Sequence, residues 1–142
     1  MSCLHFVPPT QYLFSPLPAC LTGEAIYATI TGVQSTGVQA CAKHFIGDQQ
    51  EFFRYSESSD IDQRTLQEKC LYPFQRAVEA SVTFLICSYN RINGTYACEN
   101  PALIGKTGLL KAQLGFGGYV MSDWGATHGF APSTSASGLD VE

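Results

Sequence analysis

The chain reads as an α/β fold with parallel strands, on three observations. Helix-like and strand-like segments alternate in the order helix, strand, helix, strand, helix, strand, the pattern of βα units. The strand candidates are short apolar runs of the kind that become buried strands. All three run out into polar residues, Lys43-His44, Ser88-Tyr89-Asn90 and Ser122-Asp123-Trp124. In parallel α/β sheets chemistry collects at the carboxyl ends of the strands, so three such endings would form one cluster.

Each element has its own local reason. Residues 1–23 carry four of the seven prolines and show no period, so they read as irregular coil. Thr22 is placed to cap a helix over 24–35, with Ile26, Ile30 and Val33 along one face. After Gly37, the run Val38–Phe45 reads as a strand leading to Lys43-His44. A polar loop from Gly47 to about Ile61 contains Phe52, Phe53 and Arg54, and a loop of that length is usually functional or disordered. Asp62 is a suitable N-cap for a helix over 63–80, whose apolar face is Leu66, Cys70, Phe74, Ala77 and Val78. Pro73 should kink or split that helix.

The β-branched and aromatic run Val82–Cys87 predicts a buried strand. A polar loop over 91–100 follows. Asn100 and Pro101 open a helix that runs to about Leu114, weakened by Gly105 and Gly108, and Gly115 is a natural stop. Tyr119–Asp123 is the last strand, and a tail rich in Gly, Ala, Ser and Thr closes the chain.

Composition narrows the function classes. At 142 residues the chain is about one domain. A net charge of −4 without a basic cluster argues against a nucleic-acid partner. No apolar run approaches the roughly 18 residues of a membrane span, and the segment from Met1 to Pro9 does not read as a signal peptide. The six cysteines, at 3, 20, 41, 70, 87 and 98, include no CxxC pair, which argues against structural zinc. Cys87 and Cys98 flank Asn93-Gly94-Thr95, a glycosylation sequon. Such a tripeptide also arises by chance, but its place between two cysteines hints at an oxidising compartment.

The strand-end residues suit carbohydrate chemistry better than the alternatives. Asp123 could be a nucleophile, a base or a metal ligand. His44 and His128 are the candidate co-ligands of a metal, but Lys43 beside His44 would repel a cation. Phosphate binding wants a glycine-rich turn that opens a helix, whereas Gly115–Gly118 opens a strand. Lys, His, Tyr and Arg side chains bond sugar hydroxyls, Trp124 can stack on a ring, and Asp123 can attack an anomeric carbon. Taken singly, each also suits a structural role: Asp123 a helix cap, Trp124 and His44 core residues, Tyr89 a buried hydroxyl, Lys43 and Arg54 solvated charges.

Several motifs are collinear with one family. Ala42–Gly47 with Gln50-Glu51 resembles the "AKHFIGNEQE" segment of glycoside hydrolase family 3, the β-glucosidases. Arg64–Glu68 with Leu71–Phe74 is similar to that family's helix, and Cys87–Asn90 through Tyr96 and Cys98 to its cysteine-flanked segment. Leu114–Phe116 through Asp123–Ala126 and the stretch Phe14–Gly23 resemble two more. The resemblance covers 14–142, leaving 1–13 as an unmatched irregular segment.

This resemblance implies a fold, an activity and site roles. The fold is a fragment of a (β/α)8 barrel, with about three parallel strands and their helices. The activity is retaining hydrolysis of terminal β-D-glucosyl residues, as in cellobiose, without a cofactor. Asp123 matches the nucleophile, and Trp124 the aromatic wall of the first sugar subsite. Lys43 and His44 match the pair that bonds the sugar hydroxyls, and Tyr89 the tyrosine beside the nucleophile. Cys87 and Cys98 match a disulfide, Asn93 a glycosylated position, and the enzymes concerned are secreted.

There are departures. A whole barrel takes about 250 residues. The strands that supply an aspartate and an arginine to the glucose site, and the further domain that supplies the acid/base glutamate, are expected to be missing here. Neither Glu142 nor any other carboxylate is assigned the acid/base role. Ser81, Thr83 and Phe84 replace smaller residues, and the 99–108 region looks about two residues longer than the family's. A fragment of this kind is expected to leave strand edges exposed and to be inactive by itself.

Overall fold

A computed structural model of the chain describes residues 3–6, 19–129 and 131–142. Its centre is a parallel sheet of β1 (Cys3–Phe6), β2 (Gln39–Phe45), β4 (Phe84–Cys87) and β7 (Tyr119–Ser122), in the order β1-β2-β4-β7. A second, small sheet joins β3 (Ser58–Ser59), β5 (Arg91–Ile92) and β6 (Thr95–Tyr96). The α/β class with parallel strands is therefore the observed one, with four strands in the main sheet where three are expected.

Side-chain alternation explains how the main sheet is covered. Leu85, Cys87 and Val120 join the larger apolar cluster with Ile26 and Ile30 of α1 (Ala19–Gln34) and Phe74 and Ala77 of α3 (Tyr72–Glu79). Phe84, Ile86, Tyr119 and Met121 point to the opposite face and form a smaller cluster with Cys41. There Phe84 and Tyr119 stack with ring centroids 4.9 Å apart. All four residues of β4 are buried, as a central parallel strand requires.

The helix over 63–79 follows from its ends and its proline. Asp62 accepts a hydrogen bond from Thr65 N at 3.0 Å and caps α2 (Gln63–Thr65). A π-helical turn over Leu66–Leu71 then leads into α3, whose second residue is Pro73. Proline cannot donate, and its ring clashes with the carbonyl four residues back in a regular helix. The wider turn accommodates both demands, so the helix is divided where Pro73 predicts. Asn100 caps α4 (Pro101–Ile104) through Ala102 N at 3.0 Å. The expected continuation to Leu114 is interrupted at Gly105 and resumes as a π turn over Leu109–Gln113.

Four expectations change. Cys3–Phe6 is a strand paired with Gln39–Ala42, so the first 13 residues are not wholly irregular coil; residues 7–18 lie outside the described set. Helix α1 starts at Ala19, which puts Thr22 inside it, buried, and not at its cap. The polar loop over 91–100 contains a hairpin: Asn93 and Gly94 have φ of 49° and 87°, the left-handed pair of a tight turn between β5 and β6. The edge of β7 is not bare: Ser122 N donates to Val141 O at 2.9 Å and Val141 N to Val120 O at 3.0 Å. Asp140 secures that contact by accepting from Val120 N at 2.8 Å and from Lys111 Nζ at 2.9 Å. The tail also contains α5 (Ala131–Ala136).

Gly47 controls how the chain leaves β2. It has φ of 78°, and a Cβ there would lie 2.6 Å from Ile92 Cδ1 and 2.9 Å from Ile61 Cδ1. Gly47→Ala is expected to destabilise the protein by about 1–3 kcal/mol through strain and overpacking. A midpoint of urea unfolding unchanged by the substitution would show that neither constraint operates.

Candidate active site

The site is assembled where β2, β4 and β7 end together. After β4 the chain is fastened to the chain after β2: Ser88 N donates to Phe45 O at 2.8 Å, and Ser88 Oγ accepts from Ile46 N at 3.0 Å. Buried Asn90 adds an Nδ2 contact to Ile46 O at 3.3 Å. Cys87 and Cys98 are bridged, with Cα atoms 5.2 Å apart, so the first residue of this crossing segment is also tied to its far side. The peptide bonds Lys43–His44 and Phe45–Ile46 are cis, and the β2–β4 register shifts between Lys43 and Phe45.

Asp123 follows the last residue of β7 and is the focus of the donors. His44 Nε2 lies 2.8 Å from its Oδ2, and Trp124 N donates to its Oδ1 at 2.8 Å. The phenol of Tyr89 approaches the same carboxylate. Partial burial pushes Asp123 upward, but the His44 bond, the Trp124 N–H, the field of His44 and the Tyr89 phenol outweigh it and hold the acid at about 2. Burial and the Asp123 carboxylate push Tyr89 up to about 12, so it stays a hydroxyl donor. Asp123 is thus a carboxylate at any ordinary pH, bonded but not enclosed. That is the state in which a carboxylate oxygen can attack an electrophilic carbon.

The structure brings some of the expected residues together and leaves others apart. His44, Tyr89, Asp123 and Trp124 come together. Trp124 is 74 % exposed, which rules out a core position and leaves its ring available as a surface. Lys43 is half-buried on β2, beside Ile86 in register, and makes no ion pair among the described residues. Asn93 lies elsewhere, exposed at the hairpin tip, where its Oδ1 accepts from Ile61 N at 2.9 Å. His128 is also elsewhere, stacked on Tyr96 with centroids 3.7 Å apart. Among the described residues no three His, Cys, Asp or Glu side chains converge as a metal site would require.

Two further groups lie beside the site. Asp48 is 1 % exposed, and neither carboxylate oxygen has a hydrogen-bond partner among the described residues. Burial first, then the Glu51 charge, pushes it up to about 6, against the fields of His44 and Arg54. The only sequence signal is that Asp48 stands where the family segment quoted above has asparagine. The second group is Arg54 and Tyr55, which pack on Tyr89.

Asp48 makes stability fall as pH rises. A carboxyl whose folded value lies above its unfolded value of 3.8 favours the folded state at low pH and loses that advantage between 3.8 and about 6. Across that window the loss is up to about 3 kcal/mol. Asp123 has the opposite sign, but its contribution is lost only below pH 3.8, towards about 2. Asp48→Asn should therefore match the parent at pH 4 and exceed it at pH 7. Denaturant unfolding at both pH values checks this, and equal stability at pH 7 would refute it.

Comparison with known proteins places the arrangement. The profile "Glycosyl hydrolase family 3 N terminal domain" matches residues 14–137. A relative from Aspergillus terreus, "Probable beta-glucosidase L", is 52% identical over 121 residues, covering 85% of this chain and 16% of its own length. The crystal structure of a β-glucosidase from Chaetomella raphigera superposes with a TM-score of 0.89 at 45% identity, covering 99% of this chain and 21% of that one. A β-D-glucoside glucohydrolase from Trichoderma reesei gives 0.89 at 42% identity, covering 98% and 20%. The chain therefore spans about a fifth or less of the proteins it resembles.

Proposed function

The chain belongs to glycosyl hydrolase family 3, and from that premise we propose that it carries the nucleophile side of a β-glucosidase active site. The observation that carries the reading is Asp123: a strand-end carboxylate held ionised by three donors, beside an exposed tryptophan. The substrate is a terminal β-D-glucosyl residue of cellobiose, another oligosaccharide or an aryl β-glucoside. Its ring rests on Trp124, and Lys43 and His44 bond its hydroxyls, so that attack is effectively intramolecular.

The reaction retains configuration in two displacements. An Asp123 oxygen forms a bond to the anomeric carbon as the bond to the leaving oxygen breaks, and that oxygen takes a proton from a general acid. Water, deprotonated by the same group acting as base, then releases the sugar from the aspartyl ester. No carboxylate of this chain is assigned as that acid/base. Asp123's hydrogen bonds must loosen as its charge passes to the new bond. The donors thus stabilise the carboxylate as it is regenerated in the second step as much as they restrain it in the first.

The domain reading is that 14–142 forms part of a family 3 N-terminal barrel. The Cys87–Cys98 bridge supports passage through an oxidising compartment, and the exposed sequon at Asn93 supports a secreted glycoprotein. A second reading, that this stretch alone does not turn over glycosides, is favoured by the 16–21% share of its relatives that it spans.

Incubating the full-length polypeptide that carries this chain with a 2-fluoro-glucosyl inactivator should attach the sugar to Asp123, read by peptide mass mapping. Asp123→Asn should lower kcat by roughly 10⁴-fold or more. A label on another carboxylate would overturn the assignment. For the second reading, the 142-residue chain should be silent towards an aryl β-glucoside. Turnover by that chain, lost on Asp123→Asn, would refute it.

A further inference from the structure

Arg54 and Tyr55 lie in the polar loop after β2. Tyr89 is 5 % exposed, yet it sits in a segment with no regular structure, between β4 and β5. Its ring is held from outside by two residues of another loop. The Arg54 guanidinium carbon stands 4.5 Å from the Tyr89 ring centroid, and the Tyr55 ring meets Tyr89 at 4.7 Å with the planes 64° apart. The two holders are also fixed to each other, by Arg54 Nη2 donating to Tyr55 Oη at 3.2 Å, and Arg54 Nη1 is bonded to Glu51 Oε2 at 3.0 Å. The loop is bent to deliver them: Phe53 has φ of 58°, and Ser56 N and Glu57 N both donate to its carbonyl, at 2.9 and 3.0 Å.

We propose that Arg54 and Tyr55 are positioning residues that clamp the Tyr89 ring, so that its hydroxyl stays on the Asp123 carboxylate while the sugar is transferred. The inference rests on Asp123 being the nucleophile. A phenol on an unsupported segment could follow the carboxylate only loosely, and a cation over one part of the ring with an aromatic edge at another removes that freedom. Arg54 donates to Glu51 and Tyr55 and lies over the Tyr89 ring, so it acts through the tyrosine. Among the described residues three groups face Asp123: His44 from β2, Tyr89 from the segment after β4, and the backbone N–H of Trp124. Losing the clamp therefore removes one donor of three.

Variants of the full-length polypeptide test this. Arg54→Met should lower kcat about tenfold with KM within about twofold, and should shift the acid limb of the kcat/KM profile upward as Asp123 loses a donor. Arg54→Lys, which keeps a cation over the ring, should restore most of the rate. In a Tyr89→Phe background, Arg54→Met should change kcat less than twofold, because the group it positions is gone. Full additivity of the two, or a raised KM at unchanged kcat, would overturn the clamp and make Arg54 a direct substrate contact. An activity-independent readout separates this from failure of the nucleophile reading. Nitration of Tyr89 by tetranitromethane, quantified by mass spectrometry, should rise several-fold in Arg54→Met and return in Arg54→Lys, wherever a fluoro-sugar label maps. Unchanged nitration would refute the clamp. Should the methionine variant fail to fold, Arg54→Gln gives the same reading.

Discussion

The contact between His44 and Asp123 is the constraint on which the rest depends. The two residues stand at the ends of β2 and β7, which are not neighbours, because β4 lies between them. Strands sit about 4.8 Å apart, so the backbones at β2 and β7 are separated by roughly 10 Å. An imidazole and a short carboxylate close that gap only if the intervening chain turns out of the way at the right level. Ser88 provides this by tying the segment beyond β4 to Phe45 and Ile46, which ends the ladder of β4 while keeping its exit beside β2. Tyr89 then falls next to the carboxylate. The geometry of three strand ends is thus set largely by one serine and one short turn.

The same corner of the molecule contains two aspartates with opposite behaviour. Asp123 is partly buried but collects a side-chain nitrogen, a backbone N–H and a phenol, and it sits far below the ordinary carboxylate range. Asp48 is more deeply buried, has no donor among the described residues, and is pushed to about 6. Both lie in the field of His44. Burial raises both, and at Asp48 the Glu51 charge adds to it, whereas hydrogen bonds to the charged form and the field of His44 pull Asp123 down. Proximity to a histidine alone does not hold a carboxyl low.

Much of this was legible in the residues, where the cause was local. The alternation of periods predicts the parallel sheet, Asp62 and Asn100 cap where they should, and Pro73 divides its helix. What the sequence concealed depends on partners far along the chain. Cys3–Phe6 is only four residues, pairs with a strand 36 residues on, and is followed by a proline-rich stretch that hides it. Asn93-Gly94 is a hairpin signal, but its flanks are only two residues each, too short for a period to show. The site residues on strand ends were visible as a set, whereas the hold of Arg54 and Tyr55 on Tyr89 spans more than thirty residues and leaves no mark in either segment.

The bridge between Cys87 and Cys98 closes a loop across a sequence separation of 11, and the hairpin with its exposed tip lies inside that loop. Hairpin tips of this kind are where proteases cut first. A cut between Asn93 and Gly94 would break the backbone without dividing the molecule. The half bearing Asp123 and Trp124 would remain covalently held to the half bearing Lys43 and His44, and β4 and β7 would stay paired through the main sheet. Cleavage there would be silent on a non-reducing gel and plain on a reducing one. The nicked species would behave as a two-chain protein whose junction is a sulfur bond at the foot of the central strand.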